Sequence, residues 1–400
     1  MKRLNSVLLA ASVALGLSAS TADAAAVFPY FQTNLVSNLV LPGVVQDPNL
    51  QNPWGVSESA TSPLWISNQA AGDATLYTLH GLTATPAGGP LVVPIPPAAT
   101  PPNGPTGQVN NNTTSFVITQ TGTPTAAHFI FADLNGGIYA WAAAPNPAQL
   151  QLSTVVPGAV YTGLAIGTAG GAPFLYAANG GATPGIEVFD GSFNNVTSTT
   201  FAGKFANPFS ADGLVPFNVQ NIGGDIYVTY APATIGANRT PQTMATAGQG
   251  AVAEFDTNGN LLRTVINFEQ LGSHLAAPWG IALAPADFGP FSDDLLVGNF
   301  AYGGLSAVGG EIDAYNPVTG AFLGTLDSNA AWQGLWALTF GSGSASGGSS
   351  DILYFTTGLN AETNGLFAAL SVVPEPSSLA LLAAALGLFG VRRARSRRGA

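Results

Sequence analysis

The stretch "PWGV" at residues 53–56 returns as "PWGI" at residues 278–281. In each copy a proline or aromatic residue is followed by a small residue and then by apolar residues. Four further copies share this order: Pro105-Thr106-Gly107-Gln108-Val109, Tyr161-Thr162-Gly163-Leu164, Pro216-Phe217-Asn218-Val219 and Leu335-Trp336-Ala337-Leu338. The six small residues, called markers below, lie at 55, 107, 163, 218, 280 and 337, so that they are 52, 56, 55, 62 and 57 residues apart. Spacing this even indicates an internal repeat.

Each marker is followed by a second apolar run that ends in a polar or turn residue. These runs cover residues 64–68, 129–133, 175–179, 226–230, 295–299 and 353–357. Third runs such as 185–189 and 310–315 begin after glycine and alternate with period two, as half-exposed strands do. Turn formers such as Asp190-Gly191 and 256–259 then precede fourth runs. The pattern predicts four strands in each repeat.

Six repeats of four strands predict an all-β fold, a six-bladed β-propeller, which closes on itself and leaves only short sheet edges. The composition agrees, because 49 Gly and 29 Pro break helices. The last repeat lacks a strand, whereas residues 33–40 have strand character and belong to no repeat. We therefore expect this N-terminal strand to close the last blade. Two stacked β-sandwiches of three repeats each would also suit the even spacing.

The distribution of charge separates the body of the chain from its ends. Of ten Lys and Arg residues, only Lys204, Arg239 and Arg263 lie in the body, against 19 Asp and Glu residues between 25 and 374. The formal balance of 3 minus 19, or −16, argues against nucleic acid as a partner. Cysteine is absent, which excludes disulfides, thiolate metal sites and a cysteine nucleophile.

Both ends of the chain have the composition of targeting signals. Met1-Lys2-Arg3, an apolar run and the cleavage residues Ala22 and Ala24 predict a signal peptide. At the other end, Pro374, Glu375 and Pro376 precede an apolar run and five arginines. The division expected is residues 1–24 for the signal peptide, 25–370 for the propeller and 371–400 for a sorting tail.

The tail resembles the PEP-CTERM sorting signal, which exosortase is thought to recognise. Three elements carry the resemblance: Val373-Pro374-Glu375-Pro376, the apolar run 379–391 and the terminal arginines. The body is similar to an uncharacterised propeller-like family that often carries this tail, on stretches including 34–37, 47–55, 296–300, 334–341 and 353–355. The resemblance implies signal peptidase and exosortase as processing partners, but it brings no established activity.

The length of the apolar run supports a transient membrane form. Its 13 residues make a helix of about 20 Å, shorter than the roughly 30 Å of a bilayer's hydrocarbon core. The arginines behind it favour the cytoplasmic side, which places the body outside the inner membrane. We expect the protein at the cell surface or outside the cell after tail processing. A permanent tail anchor is the alternative.

A search for catalytic motifs identifies no catalytic residue. The three histidines, His80, His128 and His274, fall in different phases of the repeat, as ordinary surface or loop histidines would. The chain has no H-E-x-x-H motif, no G-x-S-x-G elbow and no P-loop.

The ends of the second strands are the candidate ligand face. In a propeller these turns lie on the same face as the connections between blades, so that Asn68, Asp133, Asn179 and Asn299 would form a partial ring there. Their oxygens suit calcium, although tight turns demand the same residues for local hydrogen bonds. The Asp256-x-Asn258-x-Asn260 run is similar to a calcium loop but has Leu261 at the glycine position, which favours a hairpin. The tryptophans of the markers, Trp54, Trp279 and Trp336, suit either sugar stacking or packing between blades.

Two functions remain open. One is a non-enzymatic envelope or matrix protein, for example in a biofilm matrix, that binds a polysaccharide or an envelope protein. The other is a calcium-dependent propeller hydrolase or lactonase. The low histidine count and the missing motifs favour the first, and calcium is the only cofactor suggested.

Overall fold

A computed structural model describes residues 29–88, 91–96, 103–120, 122–143, 147–151, 156–233, 242, 244–270, 272–301, 310–326, 332 and 334–373. The predicted signal peptide with Ala22 and Ala24 and the predicted sorting motif of Pro374, Glu375 and Pro376 lie outside these residues, as does Arg239. The described part of the chain forms six sheets of three to five strands arranged as the blades of a β-propeller, and one additional two-stranded sheet. Neighbouring strands are antiparallel except for the pair formed by residues 36–37 and 45–46. The prediction of an all-β, six-bladed fold is confirmed.

The strands are numbered along the chain. Two precede the first blade: β1 (Tyr30–Ser37) and β2 (Val45–Gln46). Blade 1 contains β3 (Pro53–Ser57), β4 (Leu64–Asn68), β5 (Asp73–His80), β6 (Thr83–Pro86) and β7 (Val92–Pro94). Blade 2 contains β8 (Pro105–Asn110), a small hairpin of β9 (Val117–Ile118) and β10 (Thr125–Ala126), then β11 (Phe129–Asp133), β12 (Ile138–Trp141) and β13 (Gln149–Leu150).

The remaining blades follow the same course from the centre of the ring outward. Blade 3 contains β14 (Tyr161–Ala169), β15 (Ala172–Asn179) and β16 (Gly185–Asp190). Blade 4 contains β17 (Leu214–Ile222), β18 (Asp225–Pro232), β19 (Ala251–Phe255) and β20 (Leu261–Ile266). Blade 5 contains β21 (Pro278–Leu283), β22 (Leu295–Asn299), β23 (Ile312–Tyr315) and β24 (Phe322–Thr325). Blade 6 contains β25 (Leu335–Phe340), β26 (Leu353–Gly358) and β27 (Asn364–Val372), with a helical turn at Leu359–Glu362.

An N-terminal strand closes the last blade, as predicted, but it covers Tyr30–Ser37 instead of residues 33–40. β1 pairs antiparallel with β27 from Tyr30 opposite Val372 to Ser37 opposite Leu366. The hydroxyl of Ser37 donates to the carbonyl of Gly365 at 2.7 Å, which fixes the end of this pairing. Blade 6 thus joins the two ends of the ring by backbone hydrogen bonds, and β1 covers an edge that would otherwise be open.

Blade 3 departs from the expected four strands. Within the described residues it has three, and the chain after Asp190 runs as turns instead of a fourth strand. The carboxylate of Asp190 accepts hydrogen bonds from the backbone N–H groups of Ser192 and Asn194, which bends the chain away. Phe201 and Phe205 are then buried against Tyr176. Residues 194–196 keep only a short backbone pairing with β16, and the two phenylalanines pack between blades 3 and 4.

Apolar side chains fill every gap between neighbouring blades. Each of six buried clusters combines residues from two adjacent blades, including the pair formed by blades 6 and 1. A seventh cluster lies at the centre of the ring, where the first strands begin. Alternate residues on both faces of each sheet are buried in this way, which explains the long apolar runs in the sequence.

Candidate functional site

The markers lie where the first strands of adjacent blades come closest. A Cβ at Gly55 would lie 2.4 Å from the carbonyl oxygen of Thr106, and one at Gly280 would lie 2.3 Å from that of Trp336. Both distances are shorter than any ordinary contact, so a side chain does not fit. Every first strand also carries an irregularity in its pairing at the marker. Such bulges bend a strand and re-aim its side chains.

Blade 4 has the polar residue Asn218 at its marker, where the other blades have glycine or alanine. Its side-chain amide donates to the carbonyl of Trp279 in the next blade at 2.8 Å. Gln108, one residue after the marker of blade 2, likewise donates to the carbonyl of Gly55 at 2.8 Å. Side-chain amides therefore link the first strands across the gaps between blades, and they bring polar groups into the central channel.

Aromatic side chains close the channel at the face of the blade connections. Trp54 and Trp336 are fully buried and stack with ring centroids 3.6 Å apart, and Trp279 meets both of them edge-on. Phe300 packs against Trp336 at 4.1 Å. These rings, called the aromatic plug below, have no face available for a sugar. The structure therefore favours the packing interpretation of the three tryptophans.

The other end of the channel is a pocket of about 350 Å³ lined by the first strands of all six blades. Eight of its lining residues have neutral polar side chains and lie on these strands or within two residues of them: Ser57, Gln108, Asn110, Asn112, Asn218, Gln220, Asn221 and Thr339. Val56 and Ile166 are half-buried apolar residues of its lining, whereas Val219 and Leu338 are buried between blades. Among the described lining residues, Glu58 has the only ionisable side chain. The pocket thus combines neutral hydrogen-bonding groups with an apolar floor, as small-molecule sites do.

Glu58 lies where blades 6 and 1 meet at the pocket's mouth. Its carboxylate accepts a hydrogen bond from the hydroxyl of Ser342 at 3.1 Å. The same glycine-rich loop of blade 6 accepts a backbone hydrogen bond from Leu79 of blade 1, through the carbonyl of Ser346 at 2.8 Å. Burial raises the pKa of Glu58 from 4.5 to about 7, against the hydrogen bond from Ser342, which lowers it. The carboxyl therefore takes up or releases a proton near neutral pH.

The four residues of the predicted ligand face are fully buried, and among the described contacts none joins two of them. Asn179 accepts hydrogen bonds from the backbone N–H groups of Val160 and Gly181 and donates to Glu187 at 2.8 Å. Asn299 accepts from Ala276 N–H. Each of these two asparagines thus ties the incoming blade connection to the end of a second strand.

The other two members of the face act similarly. Asn68 donates to the carboxylate of Asp73 at 2.8 Å. Asp133 accepts from the backbone N–H groups of Gly104 and Asn135, both at 2.8 Å. Burial raises the pKa of Asp73 to about 6 and that of Asp133 to about 7, although these hydrogen bonds lower both. The contacts are those of turn chemistry, and calcium binding at this face stays a prediction.

Two other sequence interpretations concern hairpins and histidines. Asp256 accepts hydrogen bonds from the backbone and side-chain N–H groups of Asn260 inside the turn between β19 and β20, so the predicted hairpin is confirmed. His80 and His128 are exposed. His274 is half-buried and lies within 4.8 Å of the carboxylates of Glu311 and Asp313, counted between ligand atoms.

The sequence analysis did not predict the cluster of His274, Glu311 and Asp313, although the spacing of these residues contains part of the information needed. Glu311 and Asp313 are two residues apart in a strand and therefore share one face of it. His274 lies in the connection that enters the same blade, and connections share a propeller face with the turns before third strands. Combining these two facts would have brought the three residues together.

Comparison with known proteins identifies the tail. Residues 372–398 match the PEP-CTERM protein-sorting motif. The motif indicates export, processing by exosortase, and sorting to the cell surface or the extracellular space. In the part of the chain that the structure describes, no helix has the length and apolar content needed to cross a bilayer.

The body has similar proteins without an assigned activity. Uncharacterized protein R648 of Acanthamoeba polyphaga mimivirus is 28% identical over 276 residues, which cover 68% of this chain and 65% of that protein, slightly less than two thirds. Uncharacterized protein L690 of the same virus is 26% identical over 278 residues, which cover 68% of this chain and 69% of that protein.

Solved structures with similar architecture share little sequence. A streptogramin B lyase has a TM-score of 0.45 and 10% identity, and covers 86% of this chain and 98% of its own. YCF48 bound to a D1 peptide has a TM-score of 0.42 and 11% identity, with coverages of 88% and 98%. The α-L-arabinanase of Penicillium chrysogenum complexed with arabinobiose has a TM-score of 0.49 and 11% identity, with coverages of 85% and 98%.

Proposed function

We propose that this protein is an exported cell-envelope or extracellular-matrix propeller that binds a neutral polysaccharide segment at the open end of its central channel and does not react with it. The observation that carries the proposal is the chemistry of the pocket. It is closed by the aromatic plug at one end, and at the other it offers amides and hydroxyls around an apolar floor.

The lining fits sugars better than charged ligands. Amide side chains both donate and accept hydrogen bonds, as sugar hydroxyls do, and the half-buried Val56 and Ile166 suit the C–H faces of a sugar ring. No cationic side chain is among the described lining residues, so an anionic polymer would find no counter-charge. Repulsion by the acidic body adds to this preference.

The ends of the chain supply the route to the envelope. In this proposal signal peptidase cleaves after Ala24, and exosortase recognises Pro374, Glu375 and Pro376 while the apolar run holds the chain transiently in the inner membrane. The run is too short for a stable span, and the arginines behind it resist translocation. Cleavage then frees the propeller at the cell surface or into a biofilm matrix.

A carbohydrate microarray tests the binding function. Mature protein recovered from a host with the processing enzyme is applied to neutral cello-, xylo- and galacto-oligosaccharides and to uronate-rich ones. We expect binding to at least one neutral class, which Gln220→Ala at the pocket reduces and Gln51→Ala at the connection face leaves unchanged. Binding to uronate-rich glycans alone, or to none, would contradict the proposal.

The raised pKa values of two carboxyls at the connection face support a second candidate function, that of a calcium-dependent hydrolase or lactonase. Asp73 and Asp133 lie at the connection face with pKa values raised by burial to about 6 and 7, in the range that general acids use. In this candidate Asn68, Asp133, Asn179 and Asn299 provide the calcium face. One tightly held calcium per natively purified chain, together with calcium-dependent turnover of a chromogenic ester or lactone, would support it over the binding function.

A further inference from the structure

Three metal-ligating side chains converge at the connection face of blade 5. His274 comes from the connection that enters the blade, Glu311 directly precedes β23, and Asp313 lies within it. One ligand atom from each lies within 4.8 Å of the other two. In the part of the chain that the structure describes, no other group of three His, Asp or Glu side chains meets this condition. The site lies on the face opposite the pocket's mouth.

Neighbouring side chains hold two of these groups in place. Asn299 donates to one carboxylate oxygen of Asp313 at 2.8 Å and Thr325 donates to the other at 2.7 Å. The ring of His274 stacks on Phe322 with centroids 4.1 Å apart. Orientation by such surrounding contacts is typical of metal ligands, whose carboxylates are themselves hydrogen-bonded.

Two atoms of the cluster are buried without a hydrogen bond. Among the described residues, no hydrogen bond reaches Nδ1 of His274 or Oε2 of Glu311, and these atoms face each other at 3.9 Å. Leaving a buried polar atom unpaired costs about 1–3 kcal/mol, so two such atoms in one place call for a shared partner. A cation between them would satisfy both.

Blades 1 and 3 show that packing does not require this cluster. Both have the same asparagine-to-acid contact at this position, between Asn68 and Asp73 and between Asn179 and Glu187. Neither blade adds a histidine to the pair. The histidine and second carboxylate of blade 5 are therefore additions to a structural contact that works without them.

We propose that His274, Glu311 and Asp313 bind one divalent transition-metal ion of the zinc class, with the remaining coordination position open to solvent. Three protein ligands that include one nitrogen suit zinc, which binds four ligands in total. Calcium instead binds six to eight oxygen atoms. The side chains of His274 and Glu311 are 37% and 28% exposed, so the ion has a route in from solvent.

Zinc titration of the mature protein tests the site, with isothermal calorimetry for affinity and thermal unfolding for stabilisation. Wild type should bind one zinc ion per chain and unfold at a higher temperature with zinc than with EDTA. His274→Ala and Glu311→Gln should each weaken binding at least about tenfold and lose the zinc-dependent shift. His128→Ala, which removes an exposed histidine, should bind as wild type does.

The outcomes separate a metal site from an ordinary ion pair. Unfolding in EDTA shows whether each variant is folded, so lost affinity in a folded variant supports the site. An ion pair between His274 and Glu311 predicts no zinc binding by wild type, and this result would overturn the proposal. Equal zinc affinity in wild type and His274→Ala would also overturn it, as would displacement of zinc by equimolar calcium. None of these results bears on glycan binding at the opposite face.

Discussion

The two ends of the central channel are built from the same six strands but from different chemistry. At the connection face, the residues that precede the markers include Trp54, Trp279 and Trp336, which pack into the aromatic plug. Beyond the markers the strands carry amides, hydroxyls and Glu58, which line an open pocket. Each repeat thus contributes buried packing on one side of its bulge and accessible polar groups on the other.

The largest effect is expected from breaking the aromatic plug. Trp336 is fully buried and contacts Trp54, Trp279, Phe217 and Phe300, so Trp336→Ala should cost about 3–5 kcal/mol by loss of contacts and creation of a cavity. Chemical denaturation measures this loss in the free energy of unfolding. Val318→Ala, at a residue 77% exposed, should change stability by less than about 0.5 kcal/mol. Equal effects of the two substitutions would show that the plug does not stabilise the ring.

A smaller effect is expected from adding one methyl group at a marker. In Gly280→Ala the new Cβ would meet the carbonyl of Trp336 at 2.3 Å and push blades 5 and 6 apart, at a cost of about 1–3 kcal/mol. Gly185→Ala is the matched control, because a Cβ there has no atom within 4 Å. If both variants have the melting temperature of wild type, the close approach of the strands at the markers does not limit the size of the marker residue.

Much of the fold could be predicted from the sequence, because its main features recur in every repeat. Small residues at even spacing predict the ring, and the alternation of apolar and polar residues predicts where strands run. The unpaired segment before the first marker predicts the closing strand, since the edge of β27 that does not face β26 would otherwise be open. The turn residues Asp256 and Asn260 predict their hairpin because Asp and Asn bond to nearby backbone groups.

Features that occur once could not be predicted in the same way. The outer part of blade 3 has turn residues and phenylalanines where other blades have a strand, and burial of Phe201 and Phe205 depends on a neighbouring blade. Glu58 gains its environment from Ser342, 284 residues later, through closure of the ring. Contacts of this kind depend on the tertiary arrangement and leave no local pattern.

Burial of Glu58 at the open end predicts that the stability of the protein depends on pH. Because burial raises the folded pKa of Glu58 to about 7, above its ordinary 4.5, the folded state holds a proton that the unfolded state releases. Wild type should therefore lose stability as pH rises between about 4.5 and 7. Glu58→Gln should remove this loss, of the order of 1–2 kcal/mol after screening by solvent, in denaturation curves measured across this range.

Asp256 provides a control of opposite sign for that measurement. Partial burial raises its pKa, but hydrogen bonds from Asn260 and Asn258 outweigh burial and lower it overall. Its charge stabilises the folded state above its unfolded pKa of about 3.8, and this contribution is lost as pH falls. Asp256→Asn should therefore act at acidic pH and not between 4.5 and 7. If Glu58→Gln shows the same pH dependence of stability as wild type, the carboxyl of Glu58 is in contact with solvent and is not buried.

The most direct test of recognition at the open end is calorimetric titration with the neutral oligosaccharide that binds best on the array. Wild type, the double variant Asn112→Ala/Gln220→Ala and the connection-face variant Gln51→Ala are compared under the same conditions. Loss of two hydrogen-bonding amides predicts affinity about tenfold or more weaker in the double variant. Gln51→Ala should match wild type. Unchanged affinity in the double variant, with a loss in Gln51→Ala, would contradict the account and move recognition to the connection face.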